Sequence, residues 1–283
     1  MAEAAKKASG GLRVDAAPPP RRPRGGTDVT FLVVSDTHFG FGDIEKDNLR
    51  LVAKLDAIAG TDFPDALGGA VARPRGLLVT GDLTEWGKVE EWQPFVRTYG
   101  LDGGDGRIHL PVFEVIGNHD RVHGPWVEEQ VRARHGGGRF YAWDWGDLHL
   151  VALGEAPDDE GLRFLAEDLA KLHPDVPLVL YFHLAIQGRW STGNWFGDGD
   201  FKERLAKLLE GRNVVAIFHG HHHAADHYVW HGIDVVKPGS VKDGAHSFAV
   251  VHVTDGRASF AWRDWETDTW AGVLDRTLPR RAR

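Results

Sequence analysis

The chain has 283 residues, enough for one large domain or two small ones, and its 42% hydrophobic and 26% charged content is that of a globular protein with a substantial core. A formal net charge of -8, from 33 Lys and Arg against 41 Asp and Glu, argues against a broad basic surface for nucleic acid or anionic membrane. With no cysteine, disulfides and thiolate metal sites are excluded, so any metal must be held by nitrogen and oxygen.

Residues 1–26 are rich in Ala, Pro, Gly and Arg without a hydrophobic period, and read as a flexible N-terminal tail. A folded domain is expected over 27–273. Its first strand is "VTFLVVSD" (Val29 to Asp36), followed by a helix over Glu45 to Ala59 and a strand "GLLVTGD" (Gly76 to Asp82). A helix over Glu85 to Tyr99 leads to the strand "PVFEVIGNHD" (Pro111 to Asp120), and a third helix covers Pro125 to His135. "RFYAWDWGDLHLVAL" (Arg139 to Leu153) reads as a hairpin turning near Trp145 and Gly146. A helix over Glu160 to Leu172, a strand "PLVLYFH" (Pro177 to His183), a helix over Asp200 to Leu209 and a strand "VVAIFHG" (Val214 to Gly220) follow. "HYVWHGIDVVKPGS" reads as a second hairpin, "HSFAVVHV" and "ASFAWRDW" as the last strands, and 274–283 as a short C-terminal tail. This is an α/β pattern with crossovers early and hairpins late. No stretch reaches the roughly 18 apolar residues of a membrane helix, and the N-terminus lacks the apolar core of a signal peptide. A cytoplasmic location is expected, or an exported one with the leader already removed.

Each of five strands ends in residues that can ligate a metal: "SDTH" with Asp36 and His38, "GD" with Asp82, "GNHD" from Asn118 to Asp120, His183, and "GHHH" with His221 to His223. Extended residues at i and i+2 point to one side, so Asp36 and His38 are expected to aim together, as are His221 and His223, with His222 facing away. A glycine precedes Asp82, Asn118 and His221, as a sharp turn beside a packed site requires. Singly, each is a common cap or turn. Ligands in open α/β sheets gather beyond the carboxyl ends of strands, and five in succession there point to one centre.

Taken in order, D-x-H, G-D, G-N-H-D, H and G-H-x-H resemble the motifs of the calcineurin-like metallophosphoesterase superfamily, from about Val29 to His223. The resemblance implies two mixed β-sheets in a sandwich flanked by helices, with a dinuclear centre at the strand ends. It implies Asp36, His38, Asp82 and His223 as ligands of one metal and Asp82, Asn118, His183 and His221 as ligands of the other, with Asp82 bridging. His119 is then the residue that contacts the phosphoryl group or leaving oxygen, and Asp120 the carboxylate that orients it. The implied cofactors are two divalent or trivalent transition-metal ions, Mn, Fe or Zn first and Ni or Co next. The implied reaction is hydrolysis of a small-molecule phosphate ester by a metal-bridging hydroxide. Two such ions about 3.5–4 Å apart lower the pKa of the water and clamp the phosphoryl oxygens.

Both phosphatase and phosphodiesterase activity fit, cyclic-nucleotide phosphodiesterase among them, and an inactive scaffold on the same fold is the reading from another class. No tyrosine stands in the D-x-H or G-D motifs, which disfavours a tyrosinate-iron centre. Substrate contacts are expected from Phe39 and Phe41, Trp86, and a Gly- and Trp-rich loop carrying Arg189, Trp190, Asn194, Trp195 and Phe196. The plainer alternative is that these aromatics pack the loops onto the body.

Overall fold

The computed structural model describes residues 19–191 and 200–279. Two six-stranded mixed sheets lie face to face. The first contains β1 (Asp28–Val34), β2 (Leu77–Thr80), β3 (Val112–Val115), β10 (Ser247–Thr254), β11 (Arg257–Asp264) and β12 (Thr269–Thr277), in the order β12-β11-β10-β1-β2-β3. The second contains β4 (Tyr141–Trp145), β5 (Leu148–Ala152), β6 (Leu178–Tyr181), β7 (Val214–Phe218), β8 (Ala225–Trp230) and β9 (Ile233–Pro238), in the order β4-β5-β6-β7-β9-β8. β1, β2 and β3 run parallel, as do β5, β6, β7 and β9, while β10 joins β1 antiparallel and leads the β10-β11-β12 meander, and β4 and β8 are antiparallel edges.

The continuous apolar runs have a direct cause, because both faces of each central strand are covered. In β1, Phe31 and Val33 point into the layer between the sheets, against Leu78, Val179, Phe218 and Phe260. Leu32 and Val34 point outward, beneath α1 (Ile44–Ala57), α2 (Val89–Tyr99) and α3 (Trp126–Arg134). α4 (Asp159–Leu169) and α5 (Phe201–Leu209) cover the outer face of the second sheet through Leu165, Leu205 and their neighbours. The Asp158 carboxylate starts α4 by accepting from the Glu160 and Gly161 amides. No helix among the described residues is long and apolar enough to cross a membrane.

Both expected domain edges shift outward. Arg21 bridges Leu172 and its guanidinium meets Asp144 at 2.6 Å, so part of the presumed N-terminal tail lies against the second sheet. At the other end β12 runs to Thr277, Arg276 forks onto Asp234 at 2.7 and 3.0 Å, and Leu278 is buried between the sheets. The α2 helix starts four residues later than expected, leaving 85–88 as a loop that serves the site.

On β5, buried His149 is held between Asp144 of β4 at 2.7 Å and Asp168 of α4 at 2.6 Å. Burial opposes its charge, but the two carboxylates outweigh it and raise its pKa; Arg21 and Lys171 face the same carboxylates. A raised histidine contributes stability that is complete below its unfolded value of about 6.5 and is lost as pH rises through the folded value. In urea titrations, wild type is therefore expected to exceed His149→Gln most at acidic pH, with the gap narrowing as pH rises above about 6.5. A gap that widened with pH would contradict the pairing.

Candidate metal centre

The parallel strands of both sheets deliver their carboxyl ends to one place. Asp36 and His38 follow β1, Asp82 follows β2, Asn118 follows β3, His183 follows β6, and His221 and His223 follow β7. Backbone bonds carry the parallel pairing past the strands: Asp36 N–H donates to Gly81 O at 3.1 Å, His38 to Asp82 O at 2.9 Å, and Gly220 to His183 O at 3.1 Å. The Asn48 amide on α1 donates to Thr37 O at 2.9 Å and so ties the first loop to the helix layer.

The side chains converge by a route other than strand alternation. Asp36, His38, Asp82, His221 and His223 all have left-handed φ, from 44° to 68°. That conformation is sparsely populated outside glycine, and five instances at one site mark a backbone bent to aim its ligands. The expectation of extended i, i+2 pairs is corrected accordingly. The glycine expectation fits well: a Cβ on Gly81 would sit 2.6 Å from His183 Nδ1, and Cβ atoms on Gly117 and Gly220 would collide with Asp82 and with Ser35.

Asp82 Oδ2 lies 3.6 Å from His38 Nε2 and 3.2 Å from His183 Nε2, so one carboxylate oxygen stands between two imidazole nitrogens. His223 Nε2 is 3.2 Å from Asp36 Oδ1, and His183 Nε2 is 3.1 Å from Asn118 Oδ1. Among the described residues three groups of potential ligand atoms result: Asp36 with His38 and His223, Asp82 with His183 and His221, and His38 with Glu85 and His119, the last sharing His38 with the first.

The tautomers agree with this arrangement. His183 Nδ1–H donates to the Thr80 carbonyl at 2.9 Å, His38 Nδ1 bonds the Glu85 carboxylate at 2.7 Å, and His223 Nδ1 bonds Asp243. Each outer acceptor fixes the proton on Nδ1 and turns the Nε2 lone pair inward, the usual support for a metal-binding imidazole. His38 Nε2 is wholly buried without a hydrogen-bond partner, a costly state for a polar atom unless a cation takes it. The residues fit a metal held by nitrogen and oxygen.

Electrostatics agree. Burial pushes the Asp36 and Asp82 carboxyls up, yet His223 beside the first and His183 beside the second hold both below the usual range. Burial opposes charge on the two imidazoles, and the same carboxylates raise His183 to about 10 and His223 to about 9. Burial and the charge of His183 lower His221 to about 3. A metal takes these imidazoles only as neutral ligands, so binding there is coupled to proton release.

His119 opens a short 3-10 turn (His119–Arg121) beside His38, with ring centroids 4.7 Å apart. The assignment of Asp120 as its orienting carboxylate is corrected. Asp120 is fully buried and accepts from the amides of Leu83, Thr84 and Gly117 and from the Thr84 hydroxyl, at 2.7 to 3.0 Å. Burial and the nearby Asp82 push its carboxyl up to about 7. It pins the Asp82 loop to the Asn118 loop, whereas the His119 ring is oriented by Nδ1–H donating to the Glu85 carbonyl at 2.7 Å.

Glu85 escaped the sequence reading. Its carboxylate joins His38 to Lys242, at 2.9 and 3.0 Å, and its carbonyl holds His119. Glu85→Gln is expected to weaken metal binding about 10–100-fold by titration, the usual loss for an outer partner of a ligand. Unchanged affinity would contradict that role. The loop after β9 supplies Lys242 and Asp243, and its Val241 N–H donates to Asp36 O at 3.2 Å.

Of the expected substrate contacts, Phe39 is corrected: it is 1% exposed and packs edge-on against Phe95 and Tyr99, because the turn after His38 sends it into the helix layer. Phe41 is exposed under Lys242. Trp86 is exposed beside His119. Arg189 and Trp190 line a cavity of about 650 Å³ with Asp82, Asn118, His119 and His221. Asn194, Trp195 and Phe196 lie outside the described residues. His222 serves the 187–190 segment, its Nε2 bonding Arg189 O. All four tyrosine hydroxyls bond elsewhere, Tyr99 to Asn48, Tyr141 to Glu114 O, Tyr181 to Phe113 O and Tyr228 to His219. A larger cleft of about 1010 Å³, between α5 and β12, holds none of these ligands.

Comparison with known proteins gives a consistent picture. The profile of a family described as calcineurin-like phosphoesterase matches residues 29–225. Over 88 residues the chain is 32% identical to the glycerophosphodiester phosphodiesterase GpdQ of Enterobacter lignolyticus, a stretch covering 31% of this chain and 28% of that protein. Among solved structures, purple acid phosphatase PPD1 from yellow lupin superposes with a TM-score of 0.64 at 13% identity, over 90% of this chain and 55% of that one. GAP50, the anchor in the inner membrane complex of Plasmodium, superposes at 0.62 and 11% identity, over 90% of both chains. At such identities the two structures share the fold alone.

Proposed function

The chain belongs to the calcineurin-like phosphoesterase family, and from that premise we propose that it hydrolyses phosphate esters at a pair of transition-metal ions, Mn, Fe or Zn, held by Asp36, His38, Asp82, Asn118, His183, His221 and His223. The observation that carries the reading is the Asp82 oxygen set between His38 Nε2 and His183 Nε2 at 3.6 and 3.2 Å. When bound, the ions supply a nucleophilic oxygen at neutral pH and neutralise charge on the phosphoryl group.

The protein's own residues do the rest. Two buried carboxylates with neutral imidazoles and an amide leave the centre net positive, which suits an anionic ester. Because the Glu85 carbonyl only accepts, His119 Nδ1 keeps its proton, and Nε2 is the atom that holds or gives one to the departing ester oxygen. The likeness to a glycerophosphodiester phosphodiesterase supports diesters among the substrates. The scaffold reading has the likeness to an anchor protein in its favour; the grouping of Asp36 with His38 and His223 and of Asp82 with His183 and His221, with Asn118 beside His183, supports the active one.

The test is hydrolysis of chromogenic mono- and diesters by protein loaded with Mn, Zn or Fe and by protein treated with chelator. Metal-dependent turnover is expected. Loaded protein that cleaves neither ester class would overturn the reading.

A further inference from the structure

This inference rests on the phosphoesterase reading and concerns which esters the site takes. Each half of the ligand cluster is bordered by an exposed tryptophan. Trp86, 43% exposed, has its ring 6.2 Å from His119, which adjoins His38. Trp190, 40% exposed, has its ring 5.2 Å from His221, itself 5.2 Å from His183. Both are held from behind rather than packed into the core. The Trp86 amide donates to Glu91 at 2.8 Å, and its carbonyl accepts from His123 at 2.8 Å. Trp190 has a left-handed φ of 56°, strained for a bulky residue, and the Arg189 guanidinium lies 3.8 Å over its ring. The cavity of about 650 Å³ is lined by Trp190 and by His119, behind which Trp86 stands, and has the size of a site for a whole organic ligand rather than an inorganic anion.

We propose that the substrate is a phosphodiester with two organic arms, the leaving arm laid against Trp86 and the retained arm against Trp190. His119 Nε2 fixes the direction, since the departing oxygen must lie on its side, beside Trp86. The other ester oxygen then points to the His221 half, beside Trp190. In the step, the oxygen of water forms the new bond to phosphorus and the bond to the leaving arm breaks. The His119 proton goes to the departing oxygen, and a proton from the water is released, so the products are a monoester and an alcohol. Charge favours the same choice: Arg189 is the one Lys or Arg among the described lining residues, and it is engaged with Trp190. A monoanionic diester needs fewer cations than a dianionic monoester.

The experiment measures kcat/KM for bis(p-nitrophenyl) phosphate, ethyl p-nitrophenyl phosphate and p-nitrophenyl phosphate with the Mn-loaded wild type, Trp86→Ala, Trp190→Ala and Trp190→Phe. Wild type is expected to prefer diesters, and the bis-aryl over the ethyl ester. Trp190→Ala is expected to lower the bis-aryl to ethyl-aryl ratio about 3–10-fold, the worth of one aromatic contact, with Trp190→Phe restoring most of it. Trp86→Ala is expected to lower both diester rates and leave their ratio near that of wild type, because both leave as the same aryl group. A monoester preference, or an equal loss on all three esters in Trp190→Ala with metal content retained, would overturn the assignment of arms while leaving phosphoester hydrolysis intact. No hydrolysis of any ester by wild type would instead remove the parent reading.

Discussion

Asp82→Asn is expected to strip the protein of its metal pair and of its turnover together. The substitution removes the charge of the one oxygen that faces both His38 and His183, so neither half keeps its full ligand set. It also takes away the anion that sustains His183 at about 10. The amide retains an oxygen to accept the His119 N–H that Asp82 Oδ1 accepts at 2.9 Å, so the loop need not collapse. The loss of affinity should exceed the roughly 10–100-fold typical of an outer partner. Metal analysis beside thermal melting checks this: a folded variant that still holds as much metal as wild type would refute a bridging role.

His119→Asn is expected to behave in the opposite way, keeping its metal while kcat falls by about 10²–10⁴-fold, the range for loss of a general acid. An asparagine amide still reaches toward the Glu85 carbonyl but has no proton to give. The loss should shrink for esters with acidic leaving groups, which depart without a proton, and grow for alkyl esters. Measuring kcat across a series of leaving groups separates the roles. A constant loss across the series would mean that His119 binds the phosphoryl group and does not protonate the departing oxygen.

The strands and ligands were legible because each leaves a local trace. Runs such as "FLVV" are apolar throughout because sheet and helix layers cover both faces, and glycines before Asp82, Asn118 and His221 report contacts that admit no Cβ. The β12 strand left less trace, since Leu274 is the one buried residue in it and a register shift sends Trp270 to the other face, against the helix-side core.

The site's supporting shell was largely illegible for a physical reason. Alternation along a strand holds only while the backbone stays extended, and the ligand loops leave that region at Asp36, His38 and Asp82. Phe39 was therefore placed at the mouth when the turn buries it. The family resemblance pairs Asp120 with His119, although its carboxylate faces four donors from the Asp82 and Asn118 loops. Glu85 and Asp243 act on histidines 47 and 20 residues away, and a single acidic residue in a loop carries no sign of a distant partner.

Anomalous diffraction from crystals of the manganese-loaded protein tests the central claim most directly. Two separate peaks are expected, one on the His38 side of Asp82 and one on the His183 side, with the Asp82 carboxylate touching both. A single peak, or peaks away from Asp82, would contradict a centre bridged by that residue.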